Sequence, residues 1–297
     1  MSLWVIFTLA AAAMQTVRFM LQKQLKGAGL STGGATFSRF LFAAPMACLL
    51  AAVALTATGT APPAPGPGFW AYVALGATGQ IVATFLTVAL FSMRNFAVGV
   101  AFTKTETVQV ALLSAVLLGE AVSPLGWAAI GIGLAGVLLL SRGTEAGAGL
   151  FGRAALYGVL AGGLFGLSAI GYRGATLALM PLPFFLRALL ALAAATVLQS
   201  VAMGLWLAWR EPGEIGRVVT RWRRTVLVGL TGMLGSLGWF AAFSLQNAAY
   251  VRALGQVEIV FTLLASALVF RERLALREGL GIALVVASVV VIVLSFG

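Results

Sequence analysis

Residues 106–120 read ETVQVALLSAVLLGE, and residues 258–272 read EIVFTLLASALVFRE. The two stretches lie 152 positions apart and share an acid at each end, with Ser114 matching Ser266 between them. Upstream, at the same offset, Phe91, Ser92 and Asn95 superpose on Phe243, Ser244 and Asn247. Asn to Glu to Glu is spaced 11 and then 14 in both copies. With only eight acidic residues in the chain, two acid matches at one offset point to an internal duplication. Arg39 in the run FSRF and Arg187 in FLRA pair at a slightly different offset. The halves are therefore about 1–143 and 152–297, joined by a Gly-rich segment around Gly147.

Both copies sit in apolar sequence. The chain has 297 residues, 61% hydrophobic and 9% charged, against about 45–50% and about 25% in ordinary soluble domains. So little charge cannot clothe the surface of soluble domains of this size, and the mean hydropathy of +1.05 places the chain in a bilayer. Windows of about 19 residues give ten spans: 3–22, 34–57, 69–92, 95–118, 124–141, 154–177, 183–207, 225–246, 249–270 and 278–296. The first lacks a basic leader and carries Gln15 and Arg18, so it is expected to stay as a membrane helix rather than be cleaved. Five spans per half is an odd number. The second half must then enter from the opposite side, giving two inverted five-helix repeats. The fold expected is all-α and integral to the membrane.

Composition excludes several function classes. There is no His and no Asp, which removes His-based zinc sites, Ser-His-Asp triads and Asp-rich magnesium motifs. No enzyme activity, metal or cofactor is expected. Cys48 has no partner cysteine and reads as a small buried hydrophobe. Gly131, Gly133 and Gly136 spell G-x-G-x-x-G, but they lie inside a span with no preceding strand, so they read as packing. Gly229, Gly232, Gly235 and Gly238 form a small-residue ridge of the same kind.

The net charge of +11 reads as topology, not nucleic-acid binding. Lys23, Lys26, Arg94, Arg142, Arg153, Arg210, Arg217, Arg221, Arg223, Arg224, Arg271, Arg273 and Arg277 gather at connections after odd-numbered spans. Segment 58–68, after span two, carries no charge. The positive-inside rule makes the odd connections cytoplasmic and puts both termini outside. Trp206, Trp209 and Trp222 flank the most basic connection, as interfacial anchors do.

Residues that are expensive in hydrocarbon mark the candidate site. Glu106 and Glu258 fall mid-span, where a charge costs at least about 2.5–3.5 kcal/mol. Helical spacing puts Asn95, Phe102, Glu106 and Gln109 on one face of span four, and Asn247, Leu254, Glu258 and Phe261 on the matching face of span nine. Two polar stripes are thus expected to meet near the midplane around a central cavity. Either they handle substrate and protons or they merely lock helices together. Lys104 lies about 200° around the helix from Glu106 and needs another partner. Arg18, Arg39, Arg173, Arg187 and Arg252 lie within spans near their ends, where they either snorkel to the headgroups or face the interior. Counting these five and Lys104 against the two acids leaves an interior excess of positive charge, which favours a ligand with a carboxylate or phosphate. Gln15, Gln80, Trp239 and Phe243 are further candidate contacts. Asn95, Asn247, Arg39 and Arg187 are expected to be structural polar groups.

The closing pattern of each half, residues 112–120 and 263–272, with Arg39 and Arg187 near the starts of spans two and seven, resembles the EamA-type signature of the drug/metabolite transporter superfamily. The resemblance covers both halves. It implies spans one to four and six to nine around a central cavity, with five and ten peripheral. It also implies secondary transport, often export, of metabolites such as amino acids. The expected protein is thus an inner-membrane exporter or exchanger of a small amphoteric or anionic metabolite, working by alternating access. Glu106 and Glu258 would bind an amine or carry protons; Lys104, Arg18 and other interior arginines would hold a carboxylate. The rivals are a proton-coupled exporter of organic cations and a non-transporting scaffold subunit. Expected partners are substrate, lipid and protons, with no nucleic acid. A monomer is expected, a dimer being the alternative.

Overall fold

The structure, a computed structural model, describes residues 2–92, 103, 106–141, 153–269 and 276–296. Among the described residues all regular structure is helical. The helices are α1 (Leu3–Gly27), α2 (Thr32–Thr58), α3 (Pro67–Leu90), α4 (Glu106–Leu118), α5 (Pro124–Ser141) and α6 (Arg153–Leu177). They continue as α7 (Phe184–Arg210), α8 (Glu214–Thr220), α9 (Trp222–Leu245), α10 (Ala248–Leu254), α11 (Glu258–Val269) and α12 (Leu276–Phe296), with a 3-10 turn at Gly255–Val257 between α10 and α11. Asn95, Phe102, Lys104 and Glu272 lie outside the described residues.

Helices follow from the solvent. Hydrocarbon offers no water to a backbone N–H, so an apolar run must close its own hydrogen-bond ladder. Among the described residues five helices, α1, α2, α3, α7 and α9, are long and apolar enough to cross a membrane, at 24 to 27 residues each. That is roughly 36–40 Å, which covers the hydrocarbon and part of the headgroup layer. Shorter apolar helical stretches lie at Glu106–Leu118, Pro124–Gly136 and Gly279–Leu294. Local chemistry sets the ends. The Gly34 N–H donates to Ser31 Oγ at 2.9 Å to start α2, Gly59 stops it at φ 62°, and Pro67 opens α3 where its missing N–H costs nothing.

The expected ninth span is helical from Ala248 to Val269 but tightens to a 3-10 turn just before Glu258. Cys48 is exposed on α2 rather than buried, because in a bilayer an outward apolar face is as well solvated as a core. The connection after α7 contains a helix of its own, α8, which its charge had disguised as loop.

Packing follows a two-fold pattern. The most extensive contacts join α3 to α6, α1 to α9, α5 to α12 and α2 to α7. Exchanging the halves turns the α3–α6 seam into the α9–α1 seam and maps the other two pairs onto themselves. Within those self-mapped pairs the chains run in opposite directions. Along α2, Gly33 meets Leu207, Phe37 meets Gly204, and the Phe40 carbonyl accepts from Ser200 Oγ. Along α5, Gly133 meets Ser288 and Gly136 meets Gly281.

Glycine makes these approaches close. A Cβ on Gly79 would lie 2.8 Å from the Leu164 carbonyl oxygen, and one on Gly171 would lie 2.5 Å from the Gly76 nitrogen. The ridge of α9 is used likewise: Gly229 faces Phe42, Gly232 faces Arg39 and Arg18, and Gly235 and Gly238 face α1. Gly133 and Gly136 also pack, whereas Gly131 faces open space. α5 and α12 lean chiefly on each other and present Leu138, Val290 and Leu294 outward.

Candidate functional site

Gln15 and Gln80 come from the middles of α1 and α3, and Ser168, Tyr172 and Ser236 from the later halves of α6 and α9. With Arg252 of α10 they form the polar side of a cavity whose other side is aromatic: Phe165, Trp239, Phe240 and Phe243. The space open to water is about 10 Å³, room for about one molecule. The cavity is closed in this conformation.

Two hydrogen-bond networks hold the wall. Tyr172 O–H donates to Gln80 Oε1 at 2.8 Å, and Gln199 Nε2 donates to both Gln80 Oε1 and the Tyr172 oxygen at 2.9 Å. On the opposite side Trp239 Nε1 donates to Gln15 Oε1 at 3.1 Å, and Gln15 Nε2 donates to Glu258 Oε2 at 2.8 Å. Gln15 therefore connects the aromatic wall to a carboxyl one layer behind it.

Both acids are buried, Glu106 at 2% and Glu258 at 0% exposure, but neither lines the cavity directly. Glu106 Oε1 pairs with Arg252 Nη2, and the same guanidinium lies 4.6 Å from the Trp239 ring centroid. Glu106 Oε2 and Arg252 Nε are buried without a hydrogen-bond partner among the described residues. The pair thus satisfies each ion once and leaves a donor and an acceptor over. Glu258 also stands in the first turn of α11, straight after the 3-10 turn, where the macrodipole favours negative charge.

The remaining expected residues scatter. Arg18 and Arg39 are buried, not snorkelled. The inward face of their helices gives them side-chain partners that the headgroup layer would otherwise replace. Arg18 Nη1 donates to Gln22 Oε1 at 3.0 Å, and Arg39 donates to Thr84 at 2.9 Å and Ser236 at 3.1 Å. Gln109 is not in the cavity; it packs against Gly163 between α4 and α6. Asn247 caps α10, accepting from the Ala249 N–H at 2.8 Å. Tyr172, Ser168, Ser236 and Gln199 were not singled out in sequence. A hydroxyl or amide inside an apolar helix was their only signal, and many such groups bond their own backbone instead.

Polar clusters close both ends of the bundle. At one end Arg173 donates to Glu120 Oε1 from Nε at 2.9 Å and from Nη2 at 2.7 Å, and from Nη1 to the Phe243 carbonyl. Arg187 donates to the carbonyls of Thr176 and Ser244. At the other end the start of α2 is seized by acids of the α7–α9 connection. The Ser31 N–H donates to Glu214 Oε1 at 2.6 Å, and Ser31 Oγ donates to Glu211.

Similarity to known proteins agrees with this architecture. The sequence profile described as the EamA-like transporter family matches residues 2–142 and again residues 152–294. The chain belongs to the EamA-like transporter family. A solved crystal structure covers 96% of this chain and 96% of its own at 19% identity, with a TM-score of 0.64, a likeness of fold alone. No curated protein matches the chain. This EamA-like transporter is thus a multi-pass membrane protein of the drug/metabolite transporter superfamily, acting on small molecules within a bilayer.

Proposed function

We propose that this EamA-like transporter is a secondary active exporter or exchanger of a small amphoteric or anionic metabolite, most directly an amino acid, moved by alternating access. In this reading ten spans form two inverted five-helix repeats around the central cavity, with both termini outside a bacterial-type inner membrane. The antiparallel α2–α7 and α5–α12 pairs support the inversion.

One observation carries the substrate reading: the half-satisfied Glu106–Arg252 pair at the aromatic wall. An amino acid brings one ammonium and one carboxylate. Inserted into the pair, it would give the ammonium to Glu106 and the carboxylate to Arg252 with no net change in buried charge, which avoids the several-kcal/mol cost of stranding an ion. An organic cation fits less well, because Arg252 already occupies the Trp239 face where a cation would bind. Lys104 remains a candidate for the carboxylate. Glu258 is assigned the coupling proton. Protonation would weaken the charge-assisted bond from Gln15 Nε2 to Glu258 and let that amide turn toward the cavity.

Proteoliposomes containing the purified protein test this directly. Labelled amino acids should show counterflow. Glu106→Gln and Arg252→Gln should each cut it about 10–100-fold, the worth of a charged hydrogen bond. Glu258→Gln should flatten its pH dependence. Movement of organic cations with no movement of amino or organic acids would overturn the reading.

A further inference from the structure

We infer that a groove between α1 and α9, at the end of the bundle bearing residues 217–224, binds one anionic phospholipid. From the last residue of α7 to the first turn of α9 the chain carries Arg210, Arg217, Arg221, Arg223 and Arg224 with Glu211 and Glu214. The two acids do not neutralise Arg223 or Arg224. Both turn inward onto Ser31, Glu214 being fully buried and paired with Arg217, while Arg223 and Arg224 stay exposed. Folding therefore sorts the segment's charges and leaves a cationic outer face. Trp209 and Trp222 are exposed beside it, the level at which amphipathic rings meet headgroups.

Within this face lies a groove of about 160 Å³ lined by Leu21, Gln24, Leu25, Arg224 and Leu227. Arg224 has no ion pair among the described residues, and Gln24 is exposed beside it. A guanidinium and an amide over a leucine floor match a phosphodiester with methylenes attached. A free phosphate would leave the floor unused. Onward from Leu227, Leu230 and Leu234 are exposed along the same face of α9, a track on which an acyl chain can lie. Basic pockets between membrane helices take anionic headgroups by this combination.

The purified full-length protein, exchanged into nanodiscs of phosphatidylglycerol or phosphatidylcholine and released for native mass spectrometry, tests the site. One phosphatidylglycerol should be retained in preference to phosphatidylcholine. Arg224→Gln should weaken retention about fivefold, the worth of one arginine at an anionic surface. Leu227→Ser should weaken it too, while Arg223→Gln, outside the groove, should not. Equal retention of the two lipids would overturn the proposal. So would equal loss in Arg223→Gln, which would mean a diffuse cationic surface, or displacement of the lipid by glycerol phosphate at equal concentration, which would mean a chain-free anion site.

Discussion

At the scale of single residues, the division of labour between the two repeat-related acids is what matters most. Glu106 is tied to a cation across 146 residues of sequence, and Glu258 is tied to an amide on α1. Removing one member of a buried ion pair strands the other at about 3–5 kcal/mol. Arg252→Leu alone should therefore unfold in detergent well below wild type, and Arg252→Leu with Glu106→Leu should recover most of the loss. Recovery by the double variant without recovery of transport would separate folding from substrate handling. Tyr172→Phe removes a donor to Gln80 and an acceptor for Gln199, and should cost about 1–3 kcal/mol in the same melt. The acids, Gln15, Gln80 and Trp239 were legible in sequence because each is costly or uncommon inside a span, and Phe243 because it follows Trp239 by one turn. Their partners were not, since a pair formed between halves leaves no local pattern. Arg252 could be recognised as interior, but its attachment to Glu106 required coordinates.

At the scale of the helix, lipid made the spans legible and small residues decided how they meet. Gly79 and Gly171 let the backbones of α3 and α6 approach within the reach of a single Cβ. Gly171→Ala should destabilise the protein by about 1–3 kcal/mol through overpacking, whereas Gly131→Ala, which faces open space, should leave the detergent melting temperature unchanged. The 3-10 turn at Gly255–Val257 escaped the sequence because hydropathy averages over it and one glycine does not stop a helix in lipid. Just before Glu258 the helix tightens without unwinding, since Leu254, Gly255 and Glu258 all keep right-handed helical backbone angles. The helix α8 escaped for the opposite reason: charge and a Pro-Gly pair mark a connection, while its burial of Glu214 and Val218 depends on α2 and α7.

For the whole molecule, the repeat foretold the two-fold contact pattern, and charge asymmetry foretells an orientation that labelling can check. In a Cys48→Ala background, Arg223→Cys should resist a membrane-impermeant maleimide added to intact cells, and Pro62→Cys should react. The reverse pattern would invert the topology. Closure can be probed likewise. Glu120→Gln leaves Arg173 without its carboxylate, so it should raise the reactivity of cysteines placed near the Phe243 end of the cavity. The clasp of Glu211 and Glu214 on Ser31 has one more consequence, for biogenesis. The first half inserts with the start of α2 lacking its anionic clasp, and those acids leave the ribosome about 180 residues later. A nascent chain stalled before that point should keep residues 28–34 open to protease, and one carried past α8 should protect them, so that the second half certifies the first as it emerges.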